Sequence, residues 1–460
     1  MANCRLYGGF NLGFAIAALL TVCSSVVYLK VCGYKGNWYS RTLIALCLLI
    51  IPGFARSDDE FVKRVMLCFL FVGINLGLTT QTCKNRWNTS GVHSLLDPFY
   101  TAFSLGFGEF PKTFRGLKKA FQSGSAAVKS GGSVILGLVI AVPIVVILIP
   151  LLIQADAAFE GLLDLLPEFD FTELIMTAAL GGFLACWFFS RTVVLNHYTK
   201  AEPVNSSVKK FFSAITMNTA LGAVCLVYVV YLISQLAYFS GGFAGILPEG
   251  YSMAEYARRG FFEMAWLCLI NLSVIIFGIS KTVKKEGKTP LISRIMCLFI
   301  GSVTLFLVVT AGAKMMMYIG DYGMTRLRVL TMVIMAFLGL TTALVSIWLF
   351  VPKLPYMKAV ILSALVIGLA VFWVDVDTQV AKYNVESYFS GKHKELDRSY
   401  LARLSSGAIP YISRVAEEAP DGDAKMIAKD ILRYRSCGYE DIRGWNYVAY
   451  VEKEYLGNDA

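Results

Sequence analysis

Apolar positions along this chain gather into blocks close to 20 residues long, separated by short polar or charged intervals. Ten such blocks can be drawn, over 8–28, 42–55, 65–82, 134–153, 174–194, 212–239, 260–280, 295–318, 329–351 and 359–374. About 20 apolar residues in a helix cross roughly 30 Å of hydrocarbon, so each block predicts a membrane-spanning helix. A spanning segment must satisfy its own backbone polar groups, which leaves helices as the elements for blocks of this length. The expected fold class is therefore all-α: a polytopic transmembrane bundle of about ten spans, followed by a small helical extracytoplasmic C-terminal domain.

Four regions follow from the pattern: N-terminal helices over 1–82, a polar interval over 83–133, a main membrane domain over 134–374 and a soluble tail over 375–460. In the polar interval, Phe110, Phe114, Leu117 and Phe121 recur at helical spacing with Lys112, Arg115, Lys118 and Lys119 between them. This pattern predicts a helix lying in the headgroup plane of an anionic leaflet, with a plain solvated helix as the alternative. The Gly- and Ser-rich stretch 123–133 reads as a flexible joint. In the tail, Asp397 is placed to cap a helix through Leu404. A second apolar stripe joins Ile427, Ile431 and Leu432, and a third joins Trp445, Val448 and Val451.

Composition agrees with lipid as the main solvent. Hydrophobic residues make up 56% of the 460 residues and charged residues 16%, against about a quarter charged in a typical soluble chain. The formal charge of +10 is uneven: the tail from Asp375 onward has 12 Lys+Arg and 15 Asp+Glu, so the rest carries the positive excess. Basic residues concentrate in the loops after the odd-numbered blocks, while the loop 154–173 holds six acids and no Lys or Arg. By the positive-inside rule the odd loops face the cytoplasm, and both termini and the acidic loop face outward. No nucleic-acid-binding module is recognisable, and the basic excess fits the bilayer surface instead.

The chemistry-bearing residues collect at the outward ends of blocks seven to ten. Glu255, Arg259 and Glu263 recur at i, i+4, i+8, which places them on one helix face where two ion pairs can form. Arg258, Lys314, Asp321, Arg326, Arg328, Asp375 and Asp377 fall at the same membrane level. Such a cluster suits either an anionic or polar envelope ligand held by arginine forks, or an internal network that fixes helix ends and docks the tail. Asp58, Asp59 and Glu60 share that face and are candidates for a carboxylate base. No Walker A loop, G-x-S-x-G, G-x-G-x-x-G or H-E-x-x-H occurs. His93, His197 and His393 are too scattered to suggest a metal site. No cofactor is implied.

Three stretches resemble a bacterial membrane family catalogued as a domain of unknown function (number 4173, close to 4153). They are EYARRGFFE at 255–263, YGMTRLR at 322–328 and DTQVAKYN at 377–384; LDRSYLARL at 396–404 fits as well. The likeness covers roughly 136–404. It implies a polytopic protein of the bacterial inner membrane and assigns no activity. The functional expectation is a binding, scaffold or sensory component. The alternatives are an outer-face transferase acting on lipid-linked or envelope substrates, and a transporter, for which only Lys314 and Glu263 are set into apolar blocks.

Overall fold

A computed structural model describes residues 10–108, 187–188, 190–196, 212–242, 261–283, 289–393, 396–420, 422–434, 447–448 and 450. The amphipathic stretch 110–121, the joint 123–133, the block 134–153, the acidic loop 154–173 and the motif residues 255–260 lie outside the described residues. Eight of the described helices are long and apolar enough to cross a membrane.

The first group is α1 (Leu12–Val31), α2 (Trp38–Ile50), the short α3 (Gly53–Arg56) and α4 (Glu60–Gln81). Helix α2 starts four residues ahead of its apolar block because Asn37 and Ser40 form a capping box. The Ser40 amide donates to Asn37 Oδ1 at 2.8 Å and the Asn37 amide to Ser40 Oγ at 3.1 Å. Pro52 interrupts it and α3 completes the span to Arg56.

The second group is α5 (Ala214–Gly242), α6 (Phe261–Lys281), α7 (Leu291–Tyr322) and α8 (Arg326–Phe350). Helix α9 (Tyr356–Val374) joins the two groups, packing on α8 on one side and on α2 and α4 on the other. Glycines let these helices approach closely: Gly53 lies under the Phe372 ring, and Gly73 faces Cys47 and Leu365. Large apolar side chains such as Leu226, Val230, Trp266, Ile270 and Phe277 stay exposed around the bundle, which suits a lipid-facing surface and not water. This is an all-α polytopic bundle.

Asp375 adopts a left-handed conformation, φ 53°, between α9 and α10 (Val376–Phe389). Asp is among the few residues that tolerate this region, and here it turns the chain out of the membrane helix into the tail. The tail has its own core, in which Val380, Ala381 and Val385 of α10 meet Leu404, Ile412, Val415 and Ala428. The last four belong to or flank α11 (Ile409–Glu418) and α12 (Gly422–Tyr434). Ile431 and Leu432 pack on that core as their spacing implied.

The bundle has two distinct ends. At one, Lys84 Nζ donates to the carbonyls of Leu195 and Asn196, both at 2.7 Å, and Tyr34 Oη to Asn196 O at 3.3 Å. Phe212 and Thr282 form a short backbone bridge that ties the start of α5 to the end of α6. At the other end, the α3–α4 turn, the start of α8 and the start of α10 come together.

Candidate functional site

Asp59 is the N-cap of α4: its Oδ1 accepts from the amides of Phe61 at 3.0 Å and Val62 at 3.2 Å. An N-cap carboxylate is held by the helix amides and by the positive end of the helix dipole. Thr325 caps α8 in the same way, with its side chain accepting from the Arg328 amide. Arg326 is the first residue of α8, and its side chain reaches both neighbouring elements. Nε donates to Asp377 Oδ1 at 2.7 Å, Nη2 pairs with Asp377 Oδ2, and Nη1 lies 3.3 Å from Asp59 Oδ2. The fork on Asp377 is bidentate, the strongest geometry open to a guanidinium.

Backbone amides of the tail complete the arrangement. The Ser405 amide donates to Asp377 Oδ2 at 2.7 Å, and the Ser406 amide to Asp58 Oδ2 at 2.8 Å. Tyr400 Oη accepts from the Arg326 amide at 2.5 Å. These commitments explain why the helix capped by Asp397 covers only Arg398–Leu401 and not the expected stretch to Leu404. Residues 402–405 leave α-helical geometry, and a short 3-10 turn from Ser406 follows, so that the Ser405 and Ser406 amides face the two carboxylates. Next to this, Asp375 Oδ2 accepts from Thr378 Oγ1 at 2.7 Å, and Gly407 packs so tightly on both that a side chain there would collide.

Asp59 and Asp377 thus share one guanidinium, with Asp58 and Asp375 close enough to add their charge to the cluster. Burial pushes the Asp59 carboxyl above the ordinary range, opposed by Arg326, and the Asp377 charge adds to the rise. Burial also raises Asp375, helped by the nearby charges of Asp58 and Asp377 and opposed by the Thr378 hydrogen bond. The Tyr400 phenol is raised, first by burial. Among the described residues, no group of three or more His, Cys, Asp or Glu side chains is placed to hold a metal ion.

The other cluster residues are placed differently. Arg328 turns back to the end of α7: Nη1 donates to Tyr322 O at 3.0 Å and to Gly323 O, and the guanidinium lies 4.1 Å from the Tyr318 ring centre. Carbonyls at a helix C-terminus favour such a cation. Asn384 holds the same turn, accepting from the Met324 amide at 2.7 Å and donating to its carbonyl at 2.8 Å. Asp321 is exposed near the end of α7, and Lys314 is half-buried on that helix. Glu263 begins α6, its side chain outside the description, and Glu255, Arg258 and Arg259 lie outside the described residues altogether. Of the acids read from sequence as candidate bases on that face, Asp59 pairs with Arg326 and Asp58 accepts from the Ser406 amide. Tyr400, Asn384 and the Ser405–Ser406 amides were not anticipated, since each of these bonds has a backbone group on at least one side and backbone groups leave no residue-type signal.

The bundle and its helix-end cluster define a multi-pass α-helical membrane protein with a docked helical tail. The chain belongs to the family described as Domain of unknown function (DUF4153), whose model matches residues 42–415. This places it in 4153 where the sequence motifs resembled 4173, and extends the family match through α2 and the Asp58–Asp59 turn. No curated protein and no solved structure matches the chain.

Proposed function

We propose that this protein is a bacterial plasma-membrane scaffold or sensory component whose C-terminal helical unit is clasped to the outward end of the bundle. The observation that carries this reading is the engagement of Arg326. Its fork is closed on Asp377 and its remaining Nη1 on Asp59, and the Ser405 amide also donates to Asp377. An arginine committed in this way couples three elements and leaves little for an anionic substrate.

One observation favours the second reading, an outer-face transferase. Asp58 Oδ1 is buried and has no hydrogen-bond partner among the described residues, and Asp375 beside it has a raised pKa. A carboxylate in that state is suited to proton transfer.

The two readings separate in a null strain complemented at equal membrane abundance, scored by its envelope composition and stress-gene expression. The scaffold reading expects Asp377→Asn and tail truncation to fail, while Asp58→Asn and Asp375→Asn restore the wild-type profile. Failure of Asp58→Asn or Asp375→Asn with the tail still docked would replace it with the transferase.

A further inference from the structure

Arg191 lies in the helical stretch 190–196 and is fully buried, with 0% of its surface exposed. Among the described residues its only contact with an acceptor is marginal, Nη2 to the Asn75 carbonyl of α4 at 3.5 Å. Nε and Nη1 are buried and have no hydrogen-bond partner among the described residues. On the same Asn75, the side-chain amide donates to Phe71 O at 2.7 Å, which leaves Oδ1 buried and unpartnered as well. Lys63, the other fully buried cation among the described residues, is handled quite differently: its Nζ donates to Asn11 Oδ1 and lies 3.5 Å from Glu60 Oε1.

A guanidinium does not shed its proton in a protein. Buried without a counter-charge, it carries its full desolvation cost, so a folded chain keeps it only where an anion completes the site. The position along the bundle narrows the kind of anion. Arg191 is one turn ahead of the Leu195 and Asn196 carbonyls that receive Lys84, at the end of the bundle rich in Lys and Arg. The site lies one to two turns inside that end, open to a headgroup phosphate drawn inward and to soluble phosphates entering from the cytoplasmic side. The unpartnered Nε and Nη1 donors, pointing to different sides of the guanidinium, suit a group with several acceptor oxygens such as a phosphate, and the free Asn75 Oδ1 can accept from a hydroxyl.

We propose that Arg191 and Asn75 form a buried binding site for a phosphate-type oxyanion, supplied either as a phospholipid headgroup or as free phosphate. The site is separate from the Arg326 clasp at the opposite end of the bundle.

The test uses the full chain delipidated in a phosphate-free nonionic detergent, with thermal unfolding followed in three arms: no addition, inorganic phosphate, and phosphatidylglycerol in mixed micelles. The wild type should show a saturable rise in Tm. A rise with both additions points to free phosphate, and a rise with phosphatidylglycerol alone points to a headgroup. Arg191→Gln should abolish the rise and, with no anion added, should unfold at or above the wild-type temperature, because a lone buried charge has been removed. Native mass spectrometry of the wild type, which needs no variant to fold, should retain a phosphate or phospholipid adduct. The proposal is overturned if neither addition moves Tm and no adduct is retained. It is equally overturned if Arg191→Gln keeps the response, or if that variant is less stable in every arm, which marks a carboxylate within the chain as the partner.

Discussion

Arg326 holds Asp377 through two of its nitrogens, joining the first residue of a spanning helix to the first turn of the tail. Asp377 is fully buried, whereas the Arg326 side chain is 28% exposed. Asp377→Asn weakens the fork and removes the charge that faces the Arg326 guanidinium. Breaking a buried pair costs about 3–5 kcal/mol; with Arg326 partly wet, a loss near the lower figure is expected. Asp59→Asn should cost little or nothing, since its contacts to Arg326 are longer, burial already disfavours its charge, and an Asn can still cap α4. Denaturant unfolding of the two variants checks the ranking, and equal losses would show that the fork is not the dominant contact.

Acidification should strengthen the docked state. Asp59 and Asp375 both ionise at higher pH in the folded chain than in the unfolded one. Folding therefore takes up protons as the pH falls through the raised values toward the ordinary carboxylate value of about 3.9, and stability rises across that window. Above the raised values the gain is absent. Asp375→Asn copies the protonated form, can still accept from Thr378, and is comfortable at φ 53°. It should raise Tm at neutral pH and flatten the pH dependence. A variant that lowers Tm at all pH values would mean that the Asp375 charge is itself stabilising.

The spans were legible because composition alone selects them: blocks of apolar residues have one stable form in lipid. Their limits were less so, since caps such as Asn37, Asp59 and Thr325 extend helices into polar sequence. Arg326 and Asp377 were both named from sequence because loop charge placed them at one level. Their pairing with each other and with Asp59 depends on which helices are neighbours, and α9 decides that by packing between the two groups. Arg328 was named for the same reason as Arg326 but turns to the α7 carbonyls, because Gly323 ends that helix within its reach. Arg191 lay inside a block read as a plain span, and its burial without a partner becomes visible only once Asn75 is placed beside it.

Inside the bundle, Tyr228 Oη donates to Asn271 Oδ1 at 2.6 Å, and Asn271 Nδ2 to Thr304 Oγ1 at 2.9 Å. The chain of bonds ties α5, α6 and α7 together through buried side chains. Interhelical hydrogen bonds in membranes contribute roughly 0.6–2 kcal/mol, so Asn271→Leu should lower stability by about that amount. Asn271→Asp should cost more, roughly 2.5–3.5 kcal/mol, because it adds a charge at a spanning position. Unfolding in mixed micelles distinguishes the two; equal costs would mean that water reaches Asn271.

Sidedness is the last prediction, and the ion pairs constrain it. Asp59 precedes α4 and Arg326 opens α8, so their contact requires an even number of crossings between them. The described spans α4, α5, α6 and α7 are four of these, and the two blocks over 134–153 and 174–194 keep the number even. At the opposite end, Lys84 meets Leu195 and Asn196, and Phe212 meets Thr282, which groups the loops after the odd-numbered blocks. Contacts divide the loops into two sets, and the Lys and Arg bias then predicts that the odd set is cytoplasmic. A reporter active only outside the cell should therefore work when fused after Ala460 or inserted at Leu163, and should be silent at Ser125 and Gly287. Activity at Gly287 with silence at Leu163 would invert the orientation while keeping the ion pairs. Activity at both would break the even count, and with it the assignment of 134–153 and 174–194 as two crossings.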